Sequence, residues 1–341
     1  MKPASSPLST GAGGTGSTPL SSATRLARRP WPFISTAAAS LVLGAVSLIY
    51  PFGRDQGIHA FIADAMLSGK VVYRDVFNIK PPLTTAVHAL ALLLFGHSMT
   101  AIRILDLLWT LATALVLCAF ARRAFRSDVL GAIAGGLYPC FYVPLGFWTT
   151  AQTDGWLNLP VAGAFALFAA AQEREPRRAR LLLLGTGLCC GLAVLFKYTV
   201  GALPLVLVLI LLIGRRASLR DAAVSTAWLA LGVLIPLFLC ALALLADGAM
   251  PAFVESQFGL VRAYAGIAAA PGLSGRLTGL VHGVISAAGL RLPALALAAG
   301  VASAWTLYRS RPDWRKGLLV AVAWLLVATL STVSQGKFFV Y

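Results

Sequence analysis

Residues 83–95 read LTTAVHALALLLF. The stretch is apolar, but it is shorter than the ~20 residues that cross a bilayer as a helix. Whether it crosses sets the orientation of everything that follows. Around it lie longer apolar runs near 31–50, 99–121, 129–148, 154–171, 181–196, 199–213, 222–246, 290–308 and 317–333. These runs are rich in Leu, Ala and Val and do not alternate, so their period is that of helices rather than of a closed barrel. Residues 181–196 and 199–213 are short and separated by Lys197, and are expected to form a bent pair that does not cross cleanly.

Composition supports the same class. Of 341 residues, 58% are hydrophobic and 12% charged, whereas soluble domains average about 25% charged. Mean hydropathy is +0.81. Lipid demands internally satisfied backbone, so the expected fold is all-α: a polytopic helical membrane protein with about nine transmembrane helices. The net charge of +16 does not indicate nucleic acid, because the arginines fall in short clusters between apolar runs. That is how the positive-inside rule writes topology. If 83–95 does not cross, the clusters Arg122/Arg123/Arg126, Arg174–Arg180, Arg215/Arg216/Arg220 and Arg309–Lys316 all fall on the cytoplasmic side. Residues 83–95 are therefore expected to lie at the outer surface or to enter the membrane only partly. The 52–82 loop, the 149–154 turn and the 247–289 segment then lie outside.

Residues 1–24 are Ser, Thr, Gly, Pro and Ala with almost no large apolar side chain. Residues 1–30 are expected to be a disordered cytoplasmic tail, and 31–341 a single transmembrane domain whose first span is not cleaved. The chain stops soon after its last span, with GKFFVY, which suggests a C-terminally truncated product. Cys118, Cys140, Cys189, Cys190 and Cys240 sit in apolar runs and have no metal-ligand spacing with His.

The first loop carries Asp55, His59, Asp64, Arg74, Asp75 and Lys80. Asp55 follows the first apolar run by only a few residues, at the lip of the bilayer. Residues 55–68 place Ile58, Phe61, Ile62 and Ala65 at helical spacing, which suits an amphipathic helix at the interface. Asp55 and His59 share its face, Gly69 ends it, and Pro81 and Pro82 impose an extended approach to the next segment. Asp154 stands at the outer end of a span, either as a helix N-cap or as a functional carboxylate. Arg103 and Asp106, i to i+3 within an apolar run, read as an internal ion pair. His88, His97 and His282 read as structural. No Walker or HExxH motif occurs, and no GxGxxG dinucleotide loop is placed between a strand and a helix. External carboxylates and cations beside lipid suit a lipid-phosphate substrate, with cations for the phosphate and a carboxylate as general base.

This loop resembles the first external loop of the GT-C superfamily of polyprenyl-phosphate-sugar glycosyltransferases. The nearest branch looks like the bacterial relatives of protein O-mannosyltransferase and lipid A aminoarabinose transferase. The residues that carry the resemblance are Asp55 in RDQG, the helix ending in SGK, VVYRD at 71–75, KPPL at 80–83 and LFGHSMTAIR at 94–103. Asp154, FK at 196–197 and GKFF at 336–339 extend it. The resemblance implies a cell-envelope enzyme of the bacterial inner membrane, multi-pass, with its site on the outer or periplasmic side. Asp55 would be general base on an acceptor hydroxyl, and the sugar would leave a polyprenyl-phosphate donor with inversion. Lys80 would neutralise the leaving phosphate, with Arg74 and Lys337 in support. Asp154 would position the acceptor or the catalytic groups, and His59, Asp75 and Lys197 are further candidates. The acceptor is a lipid, a glycan or a protein. Some relatives carry an acidic residue near a metal just before the loop lysine. Here it is Ile79, so no cofactor is implied with certainty and a divalent metal stays an open question. The alternatives are a transporter or flippase of lipid-linked glycans, or an inactive truncated homologue.

Overall fold

The computed structural model describes residues 29–214, 219–260 and 306–335, together with residues 263, 272, 274, 275, 277–279, 281 and 300. Its helices are α1 (Trp31–Gly44, continued by a 3-10 turn Ala45–Ile49), α2 (Arg54–Leu67), α3 (Pro82–Phe95), α4 (Met99–Phe125), α5 (Asp128–Tyr142) and α6 (Thr153–Ala171). Then follow α7 (Pro176–Phe196), α8 (Ala202–Gly214), α9 (Leu219–Ala246), α10 (Met250–Val254) and α11 (Arg315–Gln335). Among the described residues there is no β-strand, only a single bridge between Val72 and Val76.

The all-α membrane architecture is as expected. Among the described residues, seven helices are long and apolar enough to cross a membrane: Trp31–Ile49, Met99–Phe125, Asp128–Leu145, Thr153–Ala171, Pro176–Phe196, Arg220–Ala246 and Pro312–Ser331. Nine is not reached among the described residues. The 199–213 run forms only a shorter apolar helix, Tyr198–Leu212, and the expected span at 290–308 lies almost wholly outside the described residues. The expectation that 181–196 is short is corrected. Pro176 sits in the first turn of α7, where proline's fixed φ favours a helix, and the helix runs back through Arg177, Arg178 and Arg180. Long arginine stems can lie along apolar surface while their heads reach water.

Residues 83–95 form a helix shorter than a membrane span. The α3 helix has 14 residues, about 21 Å at 1.5 Å per residue, against a hydrocarbon core of about 30 Å. Gly96 ends it at φ +88°, a conformation that favours glycine. Its Thr84, Thr85, Val87, His88 and Ala91 are buried, while Leu93 and Leu94 are exposed. The helix expected at 55–68 is present as α2, but the expected apolar stripe is split between its two sides. Gln56, His59, Ile62 and Ala63 are buried, whereas Ile58 and Phe61 are exposed.

Among the described residues, the basic clusters around Arg122, Arg174 and Lys316 gather at one end of the bundle. There Arg122 pairs with Asp128 at 2.7 Å and Arg123 with Glu173 at 3.0 Å, and Phe125 meets the edge of Trp314. Arg122 also lies over Phe33 near the start of α1. At the other end Tyr50 donates to the Val143 carbonyl, and Arg74 to the Asp247 carbonyl just past α9.

The helices approach closely through small residues, the usual device in lipid. Gly187 on α7 faces Gly232 on α9, and a Cβ at Gly187 would lie 2.0 Å from the Leu229 carbonyl oxygen. Backbone cannot yield as a flexible side chain can. Gly187→Val is therefore expected to cost about 3 kcal/mol or more, seen as a lowered melting temperature and reduced membrane yield. Gly57→Ala, at a glycine with nothing within 4 Å of an added Cβ, is expected to leave both unchanged.

Candidate functional site

Three helix N-termini converge at the end opposite the basic clusters. The first is that of α2. Gly53 precedes it, and a Cβ there would come 2.6 Å from Gln56 Oε1 and 2.8 Å from the Trp148 ring, so the close approach requires glycine. Asp55 lies in the first turn, where a carboxylate complements the helix dipole. The next residue anchors that turn: Gln56 Nε2 donates to the carbonyls of Phe147 at 2.5 Å and Thr150 at 2.8 Å. The second and third are those of α3 and α6, joined by a 3.0 Å hydrogen bond between the buried Thr84 and Thr153 hydroxyls. Lys80 stands two residues before α3 and Asp154 in the first turn of α6.

Arg103 secures the loops between these helices, and the expected ion pair with Asp106 is corrected. Its guanidinium donates to the Pro51 carbonyl at 2.6 Å, the Phe147 carbonyl at 3.3 Å and the Thr150 hydroxyl at 2.8 Å. Asp106 instead accepts from the Tyr142 hydroxyl at 2.7 Å, and that hydroxyl accepts from the Ala151 N–H at 3.0 Å. Loop carbonyls from distant parts of the chain thus replace the local partner that i, i+3 spacing suggested. Both halves of the network fix the turn that delivers Asp154.

The two readings of Asp154 are resolved in part. The cap position of α6 belongs to Gln152 and carries no side-chain cap bond, so Asp154 does not cap. Its exposed carboxylate meets Lys197 Nζ at 2.5 Å. Together they line a cavity of about 280 Å³ with Tyr142, Asn158, Trp324 and Ser331. Lys197 follows α7 in an extended conformation, which directs it away from the helix and across to α6.

Asp55 and Lys80 are placed differently. Asp55 is half-buried and makes no hydrogen bond or ion pair with a described residue. The backbone of Lys80 is held on both sides: its N–H donates to Asn78 Oδ1 at 2.9 Å, and its carbonyl accepts from the Tyr73 hydroxyl at 2.7 Å. Tyr73 sits at φ +74°, which a non-glycine residue adopts only when its surroundings enforce it. Here the ring packs edge-on against Phe253. The Asn78 carbonyl in turn accepts from Ser256 at 2.5 Å and Gln257 at 3.3 Å. The Lys80 ammonium itself has no partner among the described residues.

His59 lies one turn beyond Asp55. Its ring is tilted against His88 at 5.4 Å between centroids, and neither of its nitrogens has a hydrogen-bond partner. Burial, then the neighbouring His88 and the Lys80 charge, push its pKa down to about 3. The folded protein therefore binds this proton less readily than the unfolded chain. Between pH 6.5 and about 3, stability falls as pH falls, by up to ~1.4 kcal/mol per pH unit. Thermal unfolding at pH 7.5 and 5.0 is expected to show that loss, and His59→Gln to reduce the slope between the two.

The remaining candidates divide. Arg74 Nε and Nη2 donate to the Asp75 carboxylate at 2.9 and 3.1 Å and Nη1 donates to the Asp247 carbonyl at 2.7 Å, so its guanidinium is already engaged. The Arg74 hydrogen bond, reinforced by the Val71 N–H, holds the Asp75 carboxyl down at about 2. Lys337 and His282 lie outside the described residues. His97 meets Asp64 at 2.5 Å. Among the described residues, no group of three or more His, Cys, Asp or Glu is placed to hold a metal ion.

Residues 79–244 match the family model for dolichyl-phosphate-mannose-protein mannosyltransferase. No curated protein matches. Among solved structures, the chain is similar to the crystal structure of ArnT from Cupriavidus metallidurans bound to undecaprenyl phosphate. The TM-score is 0.58 with 20% identity over 90% of this chain and 56% of that one. The chain thus spans little more than half the length of that protein. The family-model match over residues 79–244 and the likeness in fold both agree with the resemblance read from the sequence.

Proposed function

We propose that this chain is an integral-membrane glycosyltransferase that moves a sugar from a polyprenyl-phosphate donor to an acceptor hydroxyl. Asp55 takes the hydroxyl proton as the acceptor oxygen attacks the anomeric carbon from the side opposite the phosphate. The bond from that carbon to the phosphate oxygen breaks, its electron pair leaves with the polyprenyl phosphate, and configuration inverts. Lys80 meets the charge that grows on the departing phosphate. The Asp154–Lys197 pair, within its cavity, orients the acceptor. Arg74, held by Asp75 and the Asp247 carbonyl, serves as a buttress of the loop rather than as a phosphate ligand. By the positive-inside rule this end faces away from the cytoplasm.

The observation that supports this reading is that the chain segments carrying Asp55, Lys80 and Asp154 at their helix starts are tied together, α2 to the 147–150 turn through Gln56 and α3 to α6 through the Thr84–Thr153 bond, although Asp55 and Lys80 do not themselves line the Asp154–Lys197 cavity. Helix N-termini favour anionic groups, and Lys80 supplies a full charge beside them. Membranes containing the chain, given polyprenyl phosphates bearing labelled sugars, are the test. Label is expected to leave the donor and free polyprenyl phosphate to accumulate. Intact donor crossing between leaflets without sugar release would instead identify a transporter.

A further inference from the structure

A second cavity, of about 210 Å³, opens at the basic end of the bundle. It lies between the end of α4, the end of α6 and the start of α11, far along the helices from Asp55. Its mouth carries Arg123, Arg126 and Lys316, with the Gln172 amide beside them. Two carboxylates also line it, Glu173 and Asp313. Glu173 is neutralised by Arg123 at 3.0 Å. Arg126 and Lys316 make no hydrogen bond or ion pair with a described residue. The floor is apolar, formed by Ala124, Ala169 and Val320. A Cβ at Gly317 would lie 2.6 Å from the Ala124 carbonyl oxygen, so α11 is pressed against α4 directly below the cations.

We infer that this cavity binds the headgroup of an anionic phospholipid, with the phosphate between Arg126 and Lys316 and the glycerol and upper acyl carbons on the apolar floor. Three features select that class. The cations lie where three helices end, with Trp314 half-buried against Phe125 at 5.5 Å, the depth at which aromatic rings sit beside headgroups. Basic clefts between transmembrane helices suit such headgroups. A soluble anion would use the cations but would have no need of the floor. Arg311 stacked on Trp314 at 5.0 Å and Arg315 on Tyr308 at 5.2 Å add positive potential around the mouth, which Asp313 only partly offsets.

The full chain in detergent is titrated with phosphatidylglycerol, with phosphatidylcholine of the same acyl chains, and with inorganic phosphate. Bound lipid is counted by native mass spectrometry, and the melting temperature is followed in parallel. Phosphatidylglycerol is expected to be retained and to raise the melting temperature, and the other two to do neither. Each cation is expected to contribute about fivefold in affinity. R126Q/K316Q should therefore weaken phosphatidylglycerol at least about tenfold, and R126K/K316R should restore it. Both side chains are exposed, so both variants are expected to melt with the wild type when no lipid is added. Equal retention of phosphatidylcholine, an equal effect of inorganic phosphate, or undiminished binding by R126Q/K316Q would each overturn the inference. The wild-type comparison of the two lipids decides the matter even if a variant fails to fold.

Discussion

Asp55→Asn is expected to lower sugar transfer by about 100- to 10,000-fold, the usual contribution of a general base, while leaving the protein level unchanged and costing no more stability than one charge at a helix N-terminus, about 0.3–1 kcal/mol. The two halves of this expectation rest on different observations. Asp55 has no hydrogen bond or ion pair with a described residue, so replacing one carboxylate oxygen by an amide breaks nothing in the fold. Its neighbour Gln56 carries the anchoring load through the Phe147 and Thr150 carbonyls. Asn preserves size and removes the ability to accept a proton. An anchoring role for Asp55 would give the opposite pattern, with activity and stability falling together. The measurement is initial-rate transfer from labelled donor in membranes matched for protein content, alongside thermal unfolding of the purified variant.

Lys80→Gln is expected to reduce transfer by about 100-fold or more, the scale of losing one preorganised charge at a developing anion. Two consequences separate this role from a structural one. The loop backbone at Lys80 is fixed by Asn78 and Tyr73, neither of which touches the ammonium, so Gln should keep the loop in place. Arginine restores the charge on a different stem, and Lys80→Arg should recover part of the lost rate. A second effect follows from the Lys80 charge acting on His59. Removing that charge eases protonation of His59, so the acid-side loss of stability should end at a higher pH and be smaller in total in Lys80→Gln. Titrating unfolding against pH in this variant reads that coupling independently of turnover.

Much of this arrangement is legible in the sequence because it is local. Asp55 at the end of an apolar run, Gly69 closing a helix and the paired prolines after Lys80 are all decided within a few residues. The long apolar runs declare themselves by hydropathy alone. What sequence leaves hidden is decided between distant segments. Arg103 and Asp106 have the spacing of a pair, yet the Pro51 and Phe147 carbonyls and the Tyr142 hydroxyl claim them from loops and helices elsewhere in the chain. Asp154 reads equally as a cap or a functional group until Lys197, 43 residues away, is seen beside it. The α2 helix illustrates a third limit. Its spacing fixes that it is a helix but not which side turns inward: Ile58 and Phe61 are exposed while Ile62 is buried. Gln56 carries no sequence signal for its anchoring role, because the carbonyls it meets lie 91 and 94 residues away.

The most direct measurement is the stoichiometry and stereochemistry of one round of transfer. Wild-type membranes are supplied with a polyprenyl-phosphate sugar of defined anomeric configuration and an extract containing acceptors. The expected result is one free polyprenyl phosphate for each sugar transferred, with the anomeric configuration inverted, as a single displacement assisted by Asp55 requires. Retained configuration would contradict that displacement and point to a covalent intermediate on the protein. Donor left intact while Asp55, Lys80 and Asp154 are all present would contradict the assignment of glycosyl transfer itself.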